Sequence, residues 1–160
     1  RTHGQILLAR LMDFEGAVRR LRGGFVSSSA AEASRFAADF ARTLPADFAI
    51  SLSGDLGTGK TNFVKGIARG LGISETVKSP SFNVFCIYEI PGGGRLAHID
   101  AYRLSSPEAF DGLLVDEVAP SPRILCVEWP EAVEPALPRI DARLLLSIGA
   151  DGRHCVRLAD

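Results

Sequence analysis

Cysteine is scarce in this chain: Cys86, Cys126 and Cys155 are three in 160 residues, an odd number without metal-type spacing. The pattern reads as buried, reduced thiols of a cytoplasmic protein, not as a disulfide framework or a zinc site. Long apolar runs are missing as well, and none approaches the ~18 residues that a membrane span needs. Charge of one sign is lacking: the formal net charge is -1. No global field therefore draws the chain to nucleic acid or to an anionic membrane, and contact with RNA has to come through a local patch or a partner. Repeats and low-complexity tracts are absent too. What remains, 46% hydrophobic and 23% charged residues, describes a core-forming globular chain with room for one ordinary domain.

Residues 1–24 read as an N-terminal extension, with residues 25–160 as the domain proper. In the extension Leu7, Leu11, Phe14, Val18 and Leu21 recur at helical spacing, which predicts a helix docked on the domain surface. Its five Arg against Asp13 and Glu15 leave a partner-binding or RNA-touching arm as the alternative. Gly23-Gly24 reads as a hinge. Ser29 and Glu32 have capping-box spacing ahead of an apolar face made by Ala33, Phe36, Ala37, Phe40 and Ala41, and Pro45 stops that helix. Phe48, Ile50 and Leu52 then alternate with smaller residues as a strand. Beyond a glycine-rich loop, Phe63, Val64, Ile67 and Leu71 are helical, with Gly72 as the cap. Downstream, strands are predicted over 82–90, 95–100, 124–127, 143–148 and 154–158, and a short helix over 107–114. The architecture expected is α/β, a mixed and mainly parallel sheet with helices packed on it.

The loop itself reads Gly54-Asp55-Leu56-Gly57-Thr58-Gly59-Lys60-Thr61. Glycines at 54, 57 and 59 let the backbone fold back so that several N–H groups point inward, and the following helix adds its positive end. Lys60 is placed to reach the β- and γ-phosphates of a nucleoside triphosphate, and the Thr61 hydroxyl is a hard oxygen suited to Mg²⁺. Strand, glycine loop and helix in that order are the context in which such a match carries weight.

Binding is not yet a reaction. Hydrolysis or transfer also needs carboxylates to hold the metal and orient the attacking group, and in α/β sheets these stand at the C-terminal ends of strands beside the loop. Asp100 and Glu128 occupy such positions. His98 shares the strand face of Asp100 and reads first as a satisfied core histidine, with a hydrogen bond near the site as the alternative. Trp129 reads either as core packing or as a wall of the site. Glu108, Asp111, Asp116 and Glu117 read as a solvated acidic helix face.

Together these segments resemble one family. GDLGTGKT at 54–61, KSPSF at 78–82, HIDAYRL at 98–104, PEAFDGLLVDE at 107–117 and VEWPE at 127–131 are similar to TsaE (also called YjeE), over roughly residues 29–148. The resemblance implies a P-loop NTPase-like three-layer α/β sandwich and a bacterial ATPase that supports threonylcarbamoylation of adenosine 37 in tRNAs. It implies weak hydrolysis alone, with the TsaD–TsaB transferase pair as partners, tRNA reached through that complex, ATP and Mg²⁺ as cofactors, and no membrane. It makes Asp55, Leu56, Gly57, Thr58, Gly59, Lys60, Thr61 and Asn62 the phosphate cradle, and places Ser29 and Ala30 by the base. Thr61, Asp100 and Glu128 become metal-linked, with Asp100, Glu128 and Lys60 catalytic. Ser79-Pro80-Ser81 becomes a mobile segment whose hydroxyl, at Ser81, approaches the γ-phosphate side. Tyr102, Arg103 and Trp129 support the site or its coupling to partners.

Three positions depart from the family pattern: Ser81 replaces Thr, Thr58 replaces Ala, and Asn62 replaces a second Thr. Asn62 touches whatever that second hydroxyl does at the α-phosphate. The loop taken alone also suits a small-molecule kinase, a regulatory GTPase or a non-hydrolysing, nucleotide-gated scaffold. Against the first stands the scatter of Arg69, Arg95, Arg103 and Arg123, and against the second the absence of a guanine-reading Asn-Lys-x-Asp motif. The scaffold predicts that loss of Asp100 or Glu128 is harmless.

Overall fold

The computed structural model describes residues 2–79 and 84–159, with the side chains of 8–12 outside that description. The chain runs α1 (His3–Gly23), β1 (Phe25–Ser27), α2 (Ala30–Thr43), β2 (Phe48–Ser53), α3 (Lys60–Gly70), β3 (Phe85–Glu89), β4 (Arg95–Asp100), α4 (Pro107–Asp111), α5 (Val115–Val118), β5 (Arg123–Glu128), β6 (Ala142–Ile148) and β7 (His154–Leu158). Single 3₁₀ segments follow β4 and β5, at Ala101–Arg103 and Glu131–Ala136. Among the described residues no helix is long and apolar enough to cross a membrane.

The seven strands form one sheet in the order β1-β7-β6-β2-β5-β4-β3. The four central strands β6, β2, β5 and β4 are parallel, and the pairs β6–β7, β7–β1 and β4–β3 are antiparallel. Parallel neighbours need covering on both faces. Accordingly β5 is buried at every position and β2 at all but its last. On one face lie α2 and α3, whose contact is close because glycine stands where they cross. A Cβ on Gly66 would come within 2.5 Å of the Ser34 carbonyl, and one on Gly70 would collide with that of Ala38. On the other face α4, α5 and the 131–136 segment seat Phe110, Val115 and Val133 against Ala97, Ile99, Leu125 and Val127. Two apolar clusters thus sandwich the sheet, as a three-layer α/β fold requires.

Ser29 caps α2 by accepting from the Glu32 amide at 3.1 Å, and the Glu32 carboxylate reaches back to the amide of Ser28, one residue earlier than a strict capping box. The extension forms α1, and its second half seats deeper than a surface dock: Leu21 is wholly buried, and Phe14 meets the rings of Phe40 and Phe48. Leu7 stays exposed. Gly24, at φ +86°, turns the chain out of α1 into β1, a strand the sequence reading lacks. Three residues carry no periodicity; β1 exists because β7 offers it an open edge. The helix expected over 107–114 stops at Asp111, and a second one, α5, starts at Val115 once Leu114 has taken φ +54°. β3 starts at Phe85, later than expected, and Phe82 lies outside the described residues.

Candidate functional site

The glycine loop joins the C-terminal end of β2 to α3, with Gly54, Gly57 and Gly59 all at positive φ. A side chain at 54 would strike the Leu146 carbonyl and come within 2.8 Å of the Thr58 hydroxyl. The Thr58 hydroxyl, in turn, donates to the Asp55 carbonyl at 2.8 Å, so this departure from the family pattern braces the loop. Lys60 is nearly buried. Its Nζ donates to the carbonyls of Gly54 at 2.7 Å and Asp55 at 2.8 Å, and sits 4.1 Å from the centre of the Trp129 ring. Burial pulls the Lys60 ammonium below its ordinary pKa, while the charges of Glu128, Glu131, Asp100 and Asp55 oppose that shift.

Asp100 and Glu128 face each other as register partners at the ends of β4 and β5. Glu128 is buried. It accepts from the Thr61 hydroxyl at 3.0 and 3.1 Å, and its Oε2 lies 2.5 Å from Nε2 of His98. Asp100 accepts from the Tyr102 amide at 3.1 Å. Trp129 holds φ +55°, an uncommon conformation for a bulky residue, with its amide donating to the Leu52 carbonyl at 3.1 Å. The Tyr102 ring stands 5.1 Å from its own. Between these groups is a cavity of about 310 Å³ bordered by the loop, Ser79, Asp100, Glu128 and Trp129.

Of the residues singled out in the sequence, Leu56, Gly57, Gly59, Lys60, Thr61, Asn62, Asp100, Glu128 and Trp129 border this one cavity. Asp55 contributes its carbonyl behind them. Ser81 lies outside the described residues. Asn62 spends its amide elsewhere, donating to the Ala30 carbonyl at 3.0 Å and tying α3 to the start of α2. Ser29 and Ala30 border a second, apolar cavity of about 220 Å³, which shares Gly57, Gly59 and Asn62 with the first. The acids at 108, 111, 116 and 117 are exposed, and Asp116 pairs with Arg123 at 2.5 Å.

His98 follows the alternative reading, a hydrogen bond at the candidate site, and not that of a satisfied core histidine: its Nε2 lies on Glu128, and its buried Nδ1 has no partner among the described residues. The period-2 reading had put it on the face of Asp100, and only the β4–β5 register adds Glu128. Leu146, His154 and Val156 close the apolar cavity from β6 and β7, and no local motif marks them. All three cysteines are free, but of the burial expected for them only that of Cys126 holds, its pKa pushed up by burial and then by Glu128; Cys86 and Cys155 are half-buried.

The known proteins point the same way. A family model described as "Threonylcarbamoyl adenosine biosynthesis protein TsaE" matches residues 27–155. The chain is 37% identical over 134 residues to the tRNA threonylcarbamoyladenosine biosynthesis protein TsaE of Treponema pallidum, covering 84% of this chain and 98% of that protein. The Rickettsia bellii protein of the same description is 35% identical over 141 residues, 86% of this chain and 96% of that one. The crystal structure of Bacillus subtilis YdiB matches the fold with a TM-score of 0.69 at 28% identity, over 84% of this chain and 82% of that chain. The chain belongs to the TsaE family, whose members take part in the biosynthesis of threonylcarbamoyladenosine in tRNA.

Proposed function

We propose that the chain binds ATP with Mg²⁺ at the glycine loop and hydrolyses it, weakly alone and faster with the TsaD–TsaB transferase pair, to gate or reset that complex during threonylcarbamoylation of adenosine 37. The observation that carries this reading is the convergence of Lys60, Thr61, Asp100 and Glu128 on one cavity at the mouth of the loop.

The donor set fits the metal. Among the described residues no three or more His, Cys, Asp and Glu side chains form a metal cage. Mg²⁺ in nucleotide sites does without one, taking a hydroxyl, one or two carboxylates, phosphate oxygens and water. Thr61 with Glu128 and Asp100 would hold it, and when bound it supplies the positive charge that polyphosphate needs beside these acids. Lys60 exchanges the carbonyls of Gly54 and Asp55 for phosphate oxygens. Glu128 frees the Thr61 hydroxyl while His98 keeps the carboxylate oriented. Asp100 orients the attacking water and accepts its proton at a carboxylate oxygen. Trp129 covers Lys60 and keeps bulk water from it. The base falls to the apolar cavity by Ser29 and Ala30.

Leu56 on the border of the cavity is 88% exposed, and Tyr102, whose ring stands by that of Trp129, is 68% exposed, which suits a chain whose nucleotide site meets a partner. A cytoplasmic location accords with three free cysteines. ATP hydrolysis measured with and without the purified transferase pair and tRNA tests the reading. Stimulation together with complex formation supports it; their joint absence sinks it.

A further inference from the structure

β7 lies beside β6, two strands away from β2, and this delivers His154 to the back of the phosphate loop. Its Nδ1 is 3.1 Å from the Thr58 carbonyl, 96 residues away in sequence, and a Cβ on Gly59 would stand 3.7 Å from that same nitrogen. A carbonyl oxygen only accepts, so Nδ1 carries the hydrogen and the neutral ring keeps its lone pair on Nε2. That nitrogen has no partner among the described residues. The side chain borders the apolar cavity together with Ala30, Ala33, Phe63, Leu146 and Val156. Such a cavity takes a flat aromatic ring through apolar walls and gains selectivity from a few placed polar groups. His154 is the ionisable side chain among those bordering it.

We propose that His154 is a specificity-determining residue that reads the base, its Nε2 accepting a hydrogen bond from the 6-amino group of an adenine. The proposal rests on the nucleotide reading above and assigns a role within it. A purine carrying a carbonyl at position 6 sets oxygen against the Nε2 lone pair, and one with nothing there leaves Nε2 unpaired. Either change costs affinity.

The test compares binding of ATP with that of purine riboside triphosphate, which lacks the amino group and keeps ring N1, by calorimetry at pH 8 with Mg²⁺. The wild-type chain is expected to favour ATP by about tenfold, the size of one neutral hydrogen bond lost to an unpaired acceptor. His154→Asn retains a donor for the Thr58 carbonyl and leaves no acceptor at the position of Nε2, its own amide oxygen being held back beside the donor. It is expected to bind both nucleotides within about twofold of each other. His154→Gln, whose side-chain oxygen replaces Nε2, keeps a preference of about threefold or more. An undiminished preference in His154→Asn assigns the residue to bracing the loop and overturns the proposal, as does equal binding of both nucleotides by the wild type or by His154→Gln. Failure of the wild type to bind any nucleoside triphosphate overturns the nucleotide reading itself, and this proposal with it.

Discussion

The two ends of the parallel strands carry similar raw material and use it differently. At the N-terminal ends Asp47, Arg123 and Asp141 border a cavity of about 340 Å³; at the C-terminal ends Lys60, Asp100 and Glu128 border one of about 310 Å³. Size does not tell them apart, but the state of the bonds does. Asp47 takes the Ser121 hydroxyl and the Arg123 amide. Arg123 is spent on Asp116 and the Ala119 carbonyl, and Asp141 on the Ala49 amide and Arg139. These pairs tie loops to strand starts, and each of the three charged groups has a partner of its own. At the other end Lys60 rests on loop carbonyls, Thr61 on Glu128, and His98 leaves one buried nitrogen without a partner among the described residues. Under the proposed function a ligand takes over these bonds, and a charged strand end becomes a candidate site where its bonds are open to such exchange.

The largest effect that separates the two ends is on nucleotide binding. Lys60→Ala is expected to lower ATP affinity by about 100-fold, from lost charge-assisted bonds worth roughly 1.5–3 kcal/mol each, as read by titration calorimetry. Asp47→Ala should leave that affinity within about twofold; a comparable loss there would dissolve the distinction. Next, Glu128→Gln and Asp100→Asn should each reduce partner-stimulated turnover by about 100-fold while ATP still binds, the scale of general acid–base catalysis. Unchanged turnover would favour the nucleotide-gated scaffold over a hydrolase.

Stability reverses the ranking. Asp47→Ala removes the acceptor of a buried-end amide and a hydroxyl, and should cost about 1–3 kcal/mol, a fall of roughly 2–10 °C in Tm by thermal scan. The smallest effect concerns the β6–β7 turn at the site end, where the Arg153 amide and guanidinium hold the Asp151 carboxyl below its ordinary pKa. A carboxyl depressed in the folded state stabilises above its unfolded value and loses that contribution as pH falls through the folded one. Wild type minus Asp151→Asn should therefore show a small, salt-sensitive stability difference at neutral pH that vanishes in acid. A difference independent of pH would place the effect in turn geometry.

Much of the site was legible because its cause is local. Three glycines, a lysine and a threonine within eight residues impose the loop's dihedrals and the start of α3. Asp100 and Glu128 were legible by a rule about strand ends that holds whenever a sheet is parallel. β1 was not, since a three-residue strand exists only through its neighbour. Trp129 at φ +55° was not, because local sterics disfavour that conformation and its surroundings impose it.

By itself, then, the sequence determined that a glycine-rich loop stands between a strand and a helix, with two acids near it and a family resemblance to match. The tertiary structure decided which distant side chains reach the candidate site: His98 on Glu128 across 30 residues, and His154 on the loop across 96. The physical reason is that dihedral preference and periodicity act over a few residues, whereas strand order and register are set by burial and hydrogen bonding of segments far apart in the chain.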